Sequence, residues 1–285
     1  MTMRIDLHTH SVVSDGTDTP TRLVLKAMEV GLDVIALTDH DTFDGIPEAI
    51  EAGKRIGVKV MCGIEMSTQL DGHSVHLLGY GCDPFHRPLV QELAKIRVAR
   101  TGRLKAFAER MTELDMPLGV DDIIAAAGAS PSIGRPHVAD ALVAKGYVGH
   151  RDEAFDKWLR EDKPGYVPRY ACELSAAIDL IHAAKGIAIL AHPWGRGNES
   201  VLTAEVIERL TTEKGLDGIE VNHPDHDERA RELLFALGGR LGLIRTGSSD
   251  YHGLGKRNNP LGGENTRDTA YREMLRRIRL RGGIV

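Results

Sequence analysis

Seven short apolar runs in this chain each end in a cluster of ionisable or hydroxyl side chains: HTH (8–10), TDHD (38–41), GIEMS (63–67), SVH (74–76), AHP (191–193), VNHPDH (221–226) and SSDYH (248–252). Helical patterns lie between most of them. TPTRLVLKAMEVG has Thr19 as N-cap, Pro20 at the first helical position and Gly31 at the end, and IPEAIEAGKRIG closes on Gly57. LSAAIDLIHAAKG, VLTAEVIERLTTEKG, RARELLFALGGRLG and a terminal AYREMLRRIRLRGG continue the series. This is the rhythm of a parallel α/β sheet or barrel. In such barrels the loops leaving the C-terminal ends of the strands build the active site.

The bulk properties narrow the class. A chain of 285 residues is long enough for one large core with a small appended unit. A net charge of -5 offers no electrostatic footprint for tight DNA or membrane binding. No apolar run approaches a membrane span, and the N-terminus enters a strand directly without a signal-peptide pattern. Cys62, Cys82 and Cys172 are few and widely spaced, with neither metal nor redox spacing. Reduced, inert thiols and a cytoplasmic location are expected.

From about Pro88 to Pro168 the strand–helix alternation stops. PLVQELAKIRVARTGRLKAFAERMTELDM reads as a long helix or helix pair, followed by the helical pieces VDDIIAAAGA, RPHVADALVAKG and RDEAFDKWLRE. The expected organisation is a barrel from 1–87 and 169–285, with a small helical domain inserted at 88–168. Leu89, Leu93, Ile96, Phe107, Met111 and Leu114 recur at helical spacing as one apolar stripe, and Arg100 and Arg103 fall on it. Two guanidiniums on a buried-looking face need an anion such as phosphate, unless the helix leaves the barrel there and they reach solvent or a surface carboxylate.

The polar clusters hold the chemistry. His8 and His10 are two apart and share a strand face, on which Asp6 also falls. Ser14-Asp15-Gly16 reads as a turn that returns a carboxylate over the strand end. His40, Glu65, His76 and His192 lie in other strand-end clusters, and Asp250 and His252 repeat the spacing of two. One such histidine is ordinarily a hydrogen-bonded surface residue. Six imidazoles and three carboxylates converging on one rim cannot be tolerated without cations. Imidazole and carboxylate together suit Mn, Zn or Fe, and the lack of Cys argues against a closed structural zinc site. Asp39 and Asp41 flank His40 and fit orientation of ligands or helix capping better than ligation.

HTHSVVSDG, TDHD, GIE, SVH, AHP, GIEV and SSDYHG, in this order, resemble the polymerase and histidinol phosphatase (PHP) family of metal-dependent phosphoesterases over nearly the whole chain. The resemblance implies a distorted seven-stranded (β/α) barrel with two or three divalent metals, manganese foremost. By the family pattern His8, His10, Glu65 and Asp250 hold one metal, Glu65, His76 and His192 a second, and Asp15, His40 and His252 a third. A hydroxide between metals, held by Glu65, His10, Asp250 and His192, is then the nucleophile.

Within the family the chain is similar to phosphatases that remove the 3′-phosphate of nucleoside 3′,5′-bisphosphates. That implies substrate contacts from Arg100 and Arg103, from Arg135 and His137 in GRPHVA, and more weakly from His226, with His223 weaker still. A small nucleotide is the expected partner. The alternatives are a 5′→3′ exoribonuclease on short RNA, a histidinol-phosphate phosphatase, and a non-catalytic metal-binding module.

Overall fold

The structure, a computed structural model, describes residues 3–285, apart from the side chain of Arg196. The first half-barrel contains β1 (Ile5–Thr9), α1 (Pro20–Glu29), β2 (Val34–Leu37), α2 (Ile46–Ile56), β3 (Lys59–Leu70) and β4 (His73–Tyr80). Five helices follow: α3 (Arg87–Gly102), α4 (Leu104–Glu113), α5 (Val120–Ala127), α6 (Arg135–Ala144) and the single turn α7 (Arg151–Ala154). The alternation then resumes with β5 (Cys172–Glu173), α8 (Leu174–Ala183), β6 (Ile187–Leu190), α9 (Ala204–Lys214), β7 (Gly218–Asn222), α10 (Glu228–Arg240), β8 (Ile244–Gly247) and α11 (Asp268–Arg281).

Local signals account for the helix ends. Thr19 accepts a hydrogen bond from the Arg22 amide and Pro20 opens α1, so the orphan donors of the first turn are met. Gly57 ends α2 at φ +90°, a conformation that a Cβ would oppose.

The main path of the sheet is β1-β2-β3-β4-β6-β7-β8, with the two-residue β5 on β3. The α/β barrel of seven strands expected from the sequence is therefore present. Closure comes from a parallel bridge between Thr9 and Tyr251, which joins the end of β1 to the residues after β8. One strand departs from the expected direction. β4 is antiparallel to both β3 and β6, because only the Asp71-Gly72 turn joins it to β3. His76 thus reaches the rim from a strand running the other way, not from a strand's C-terminal end.

Strict alternation fails at β1 as well. The register between β1 and β2 slips by one residue between Asp6 and Thr9, and a second slip lies between Glu220 and Asn222 of β7. Such irregularities re-aim side chains beside active sites. Here Asp6 is separated from the His8 and His10 face. It accepts bonds from the Ser249 hydroxyl (2.5 Å), the Ser249 amide (3.1 Å) and the Gly262 amide (2.9 Å), and so tethers the loop after β8.

The core has two barrel layers. One packs α1, α2, α8, α9 and α10 on the sheet, and the other packs Tyr271, Met274 and Ile278 of α11 with Ile5, Ile187 and Ile244. A further cluster, with Phe107, Met111, Ile123, Val138 and Leu142, takes its buried members from residues 104–159, with Val167 packed against it. The apolar stripe read from the sequence divides at Arg103, where α3 gives way to α4. Leu89, Leu93 and Ile96 join the barrel layer, and Phe107 and Met111 join the helical cluster. Among the described residues no helix is long and apolar enough to cross a membrane.

Candidate metal centre

All nine groups singled out from the sequence meet at one end of the barrel, and all are buried or nearly so. Glu65 is the hub. Its Oε1 lies 2.7 Å from His76 Nδ1 and 3.2 Å from His192 Nε2. Its Oε2 lies 3.3 Å from His8 Nε2, 3.2 Å from His10 Nε2 and 3.1 Å from His40 Nδ1. The two oxygens of one carboxylate thus face two separate sets of imidazoles.

Asp250 Oδ1 sits 3.4 Å from both His8 Nε2 and His10 Nε2, so these rings, Glu65 and Asp250 form one compact group. A second group joins His10, Asp15, His40 and His252, with Asp15 3.3 Å from His252 Nε2 and 3.6 Å from His40 Nε2. His40, Glu65 and His76 form a third.

The chemistry of these donors fits divalent cations. Burial opposes ionisation of Glu65, but His40, His76 and His8 hold it well below the usual carboxylate range. Burial likewise opposes ionisation of Asp15, and His252 and His40 outweigh it. Burial and the charge of His10 press His252 down to about 4, and burial lowers His40 well below its usual value. Ionised carboxylate and neutral imidazole are the forms that bind metal. His10 has the opposite balance: burial lowers it, but Asp250 and Glu65 raise it to about 9. The cluster therefore demands positive charge beside His10, as protons or as cations. His8 Nε2, His10 Nε2 and His40 Nδ1 make no hydrogen bond of good geometry, although they are buried. Such atoms are costly unless something coordinates them.

The backbone is distorted at the centre. His192 (φ 29°), Asp250 (φ 51°) and Asp41 (φ 58°) all occupy the left-handed region. Each such residue costs about 1–3 kcal/mol and persists where surrounding contacts over-determine it.

Two further residues of the centre, Glu220 and Lys256, were not assigned from the sequence, and a third, His223, was expected there only as a weak substrate contact. Glu220 on β7 accepts from His8 Nδ1 at 3.0 Å and from the His192 amide at 2.8 Å, which orients one ring and the strained His192 backbone together. His223 is fully buried, and its Nε2 lies 3.3 Å from Asp250 Oδ2. Lys256 also bonds Asp250 Oδ2. The signal for Glu220 and His223 was VNHP following GIE, which repeats the strand-end form of AHP. Asp39 accepts from the Ser11 amide (2.8 Å) and the Ser14 hydroxyl (2.7 Å), so it fastens the loop that carries Asp15.

The arginines of the helical stretch fall into two kinds. Arg100 bonds Asp41 Oδ2 at 2.9 Å and Ser67 Oγ at 2.6 Å, so its anion is a carboxylate of the protein next to His40. Arg103 is buried, its Nη1 donates to the Val167 carbonyl at 2.6 Å, and its Nε has no hydrogen-bond partner among the described residues. Burial and the charges of Arg169, Arg135 and Arg100 push Arg103 down to about 8, and burial with Arg100 pushes Arg169 down to about 9. A guanidinium keeps its proton in proteins, so this depression measures an unmet demand for negative charge. Arg169 was not assigned from the sequence, since it stands alone between Pro168 and Tyr170.

The ring of His137 accepts from the Gly134 amide at 3.0 Å and caps α6, and burial holds it below its ordinary value against the charge of Asp15. His226 meets the Val221 carbonyl through Nδ1 (2.9 Å) and the Trp194 amide through Nε2 (3.3 Å). Both ring nitrogens of His226 are thus occupied by backbone.

Comparison with known proteins agrees with this geometry. The PHP domain profile matches residues 6–130. The chain is 34% identical over 255 residues to a 5′-3′ exoribonuclease of Haemophilus influenzae, covering 88% of this chain and 91% of the relative. It is 35% identical to a 3′,5′-nucleoside bisphosphate phosphatase of Chromobacterium violaceum, covering 88% of each. A crystal structure of a protein from Bifidobacterium adolescentis, described by inference as a metal-dependent phosphoesterase, superposes with a TM-score of 0.91 over 96% of both chains, at 36% identity.

Proposed function

This chain belongs to the PHP family and is a metal-dependent phosphoesterase, and on that premise we propose that it removes the 3′-phosphate of nucleoside 3′,5′-bisphosphates, giving the nucleoside 5′-monophosphate and phosphate. The observation that carries the proposal is the pairing of two anion sites. One is the carboxylate–imidazole centre, which would hold a phosphate through the cations bound to it, and the other is the set Arg103, Arg135 and Arg169, whose charges press on one another. Arg100 links them, since its partner Asp41 adjoins His40. A substrate with two phosphates on one ribose satisfies both.

In this reading His8, His10, Glu65 and Asp250 would hold one metal, and Glu65, His76 and His192 would hold a second. Asp15, His40 and His252, with His10 beside them, would hold a third. Cations bound there would activate water and offset charge on the phosphoryl oxygens. Manganese, zinc and iron all suit these donors, and manganese is the metal for assay. Arg103, Arg135 and Arg169 grip the non-reacting 5′-phosphate, and His137 stands in the first turn of α6, which Arg135 opens. Binding energy at that remote phosphate orients the 3′-phosphorus toward the attacking water. Glu220 keeps His8 in one tautomer, with Nε2 turned to the centre.

A second reading, a 5′→3′ exoribonuclease on short RNA, is supported by the similarity to the Haemophilus influenzae relative. It uses the same two sites, with the arginines on the 5′-terminal phosphate. Phosphate and nucleotide release with manganese, measured across nucleoside bisphosphates, mononucleotides, short 5′-phosphorylated RNA and histidinol phosphate, tests both. Highest kcat/KM on the bisphosphate is expected. Preference for RNA gives the second reading first place, and preference for histidinol phosphate removes both.

A further inference from the structure

Asp15 is the one carboxylate of the centre carried by a loop and not by a strand or the seam, and two residues of the helical stretch hold that loop. Arg151 Nη1 donates to the Asp15 carbonyl at 2.8 Å. The rest of its guanidinium forms a two-pronged pair with Asp140 on α6, Nε to Oδ1 at 2.8 Å and Nη2 to Oδ2 at 2.5 Å. The side chain is 10% exposed. It also lies against the turn after His252: a Cβ on Gly255 would come within 2.2 Å of Nη1, so the fork packs directly on that turn. One guanidinium therefore touches the segments that carry both Asp15 and His252. Ser130 adds a second hold, donating to the Ser14 carbonyl at 2.7 Å.

The other carboxylates do not depend on the helical stretch in this way. Glu65 lies within the β3–β4 ladder, and Asp250 sits beside the Thr9–Tyr251 bridge. Apart from the helical stretch, the backbone of the 11–16 loop is held by the Ser14 and Gly16 amides on the Ser11 carbonyl, the Val12 amide on the Asp18 carbonyl, and Asp39 on the Ser11 amide and Ser14 hydroxyl. A fixed bidentate partner such as Asp140 pre-orders the arginine fork, so the Asp15 carbonyl is met without freezing a free side chain.

We propose that Arg151, set by Asp140, is a positioning residue for the Asp15–His40–His252 subsite, so that docking of α6–α7 and cation binding at this subsite are coupled. This rests on the metal-centre reading above. Coupling free energy is reciprocal, so the cation must in turn tighten the docked helices. Partners that orient metal ligands typically change affinity by about 10–100-fold when removed.

The test is titration of the full chain with Mn²⁺, followed by EPR and by metal analysis after dialysis, for the wild type, Arg151→Ala, Asp15→Asn and the double variant. The expected result is that Arg151→Ala weakens one class of Mn²⁺ by about 10–100-fold and leaves the others unchanged. Asp15→Asn should remove the same class, and the double variant should do no more than Asp15→Asn. Arg151→Lys, which keeps a donor but not the fork, should restore part of the affinity. Hydrogen exchange across 135–154 should slow on adding Mn²⁺ in the wild type and not in Arg151→Ala. Unchanged Mn²⁺ binding in Arg151→Ala overturns the coupling while leaving the metal centre intact. Equal loss of every class, or unfolding, assigns Arg151 to the fold and also overturns it. A wild-type chain that takes up no Mn²⁺ removes the metal reading itself.

Discussion

Thr9 and Tyr251 pair in parallel across the seam of the barrel, with the His10 amide on the Tyr251 carbonyl at 2.9 Å and the Tyr251 amide near the His8 carbonyl at 3.3 Å. This one pairing lays His8-Thr9-His10 beside Asp250-Tyr251-His252. The His10 and His252 rings consequently stack with centroids 4.1 Å apart, and Asp250 falls between His8 and His10. Two motifs of the same spacing, more than 230 residues apart, become one half of the centre.

Glu65→Gln keeps the shape of the hub and removes its charge. Five imidazoles then face a neutral amide, and no carboxylate remains to bridge the two sets. Metal content and phosphate release should fall together, activity by at least about a hundredfold. Metal analysis beside steady-state kinetics checks it, and full metal content with normal turnover refutes the hub.

Arg103→Ala should discriminate between substrates. Loss of one charged hydrogen-bond partner costs roughly 1.5–3 kcal/mol. The value of kcat/KM for the bisphosphate should therefore fall by about tenfold to a hundredfold. A small phosphate ester without a second phosphate should be almost unaffected. An equal loss on both would assign the arginine to the fold.

Metal removal should register in stability. Cations that bind only the folded chain stabilise it by about 2.7 kcal/mol at a hundred times their Kd. For a chain of this size, chelator-stripped protein should melt roughly 5–10 °C below protein saturated with Mn²⁺. Scanning calorimetry at fixed pH checks this, and identical melting temperatures contradict the metal centre.

Asp217 gives a pH-dependent test far from the chemistry. Burial opposes its charge, but His182 (2.9 Å), Arg281 (2.7 Å) and the Ala188 amide (3.0 Å) hold it below its ordinary value of 3.8. A depressed carboxylate contributes stability above its unfolded value, about 3.9, and loses that contribution as pH falls through the folded value. Asp217→Asn should cost roughly 1.5–3 kcal/mol at pH 7, and the gap to wild type should narrow below about pH 4. Denaturant melts at pH 7, 5 and 3.5 check the trend. A gap that stays constant across them would place the cost in packing.

The local chemistry was legible without the fold. Helix starts such as Thr19-Pro20, ends such as Gly57, and strand-end donors from His8 to His252 depend on neighbours in the chain, and periodicity reports those directly. The metal character followed from counting donors, because six imidazoles and three carboxylates at strand ends have few other physical solutions.

What only the tertiary structure decided is set by pairing between distant segments. A one-residue slip against β2 lies between Asp6 and Thr9, and another follows Glu220 on β7, and alternation along one strand cannot foresee a slip against its neighbour. The reversal of β4 follows from its short turn to β3, yet its placement between β3 and β6 is a property of the closed sheet. Arg100 and Arg103 share one apolar stripe, but the break between α3 and α4 gives the first a carboxylate of the protein and leaves the second in a cationic cluster. Arg151 and Arg169 carry no motif at all. Sequence determines which side chains can bind a cation or an anion, and the non-local ladder and its closure determine which of them share one.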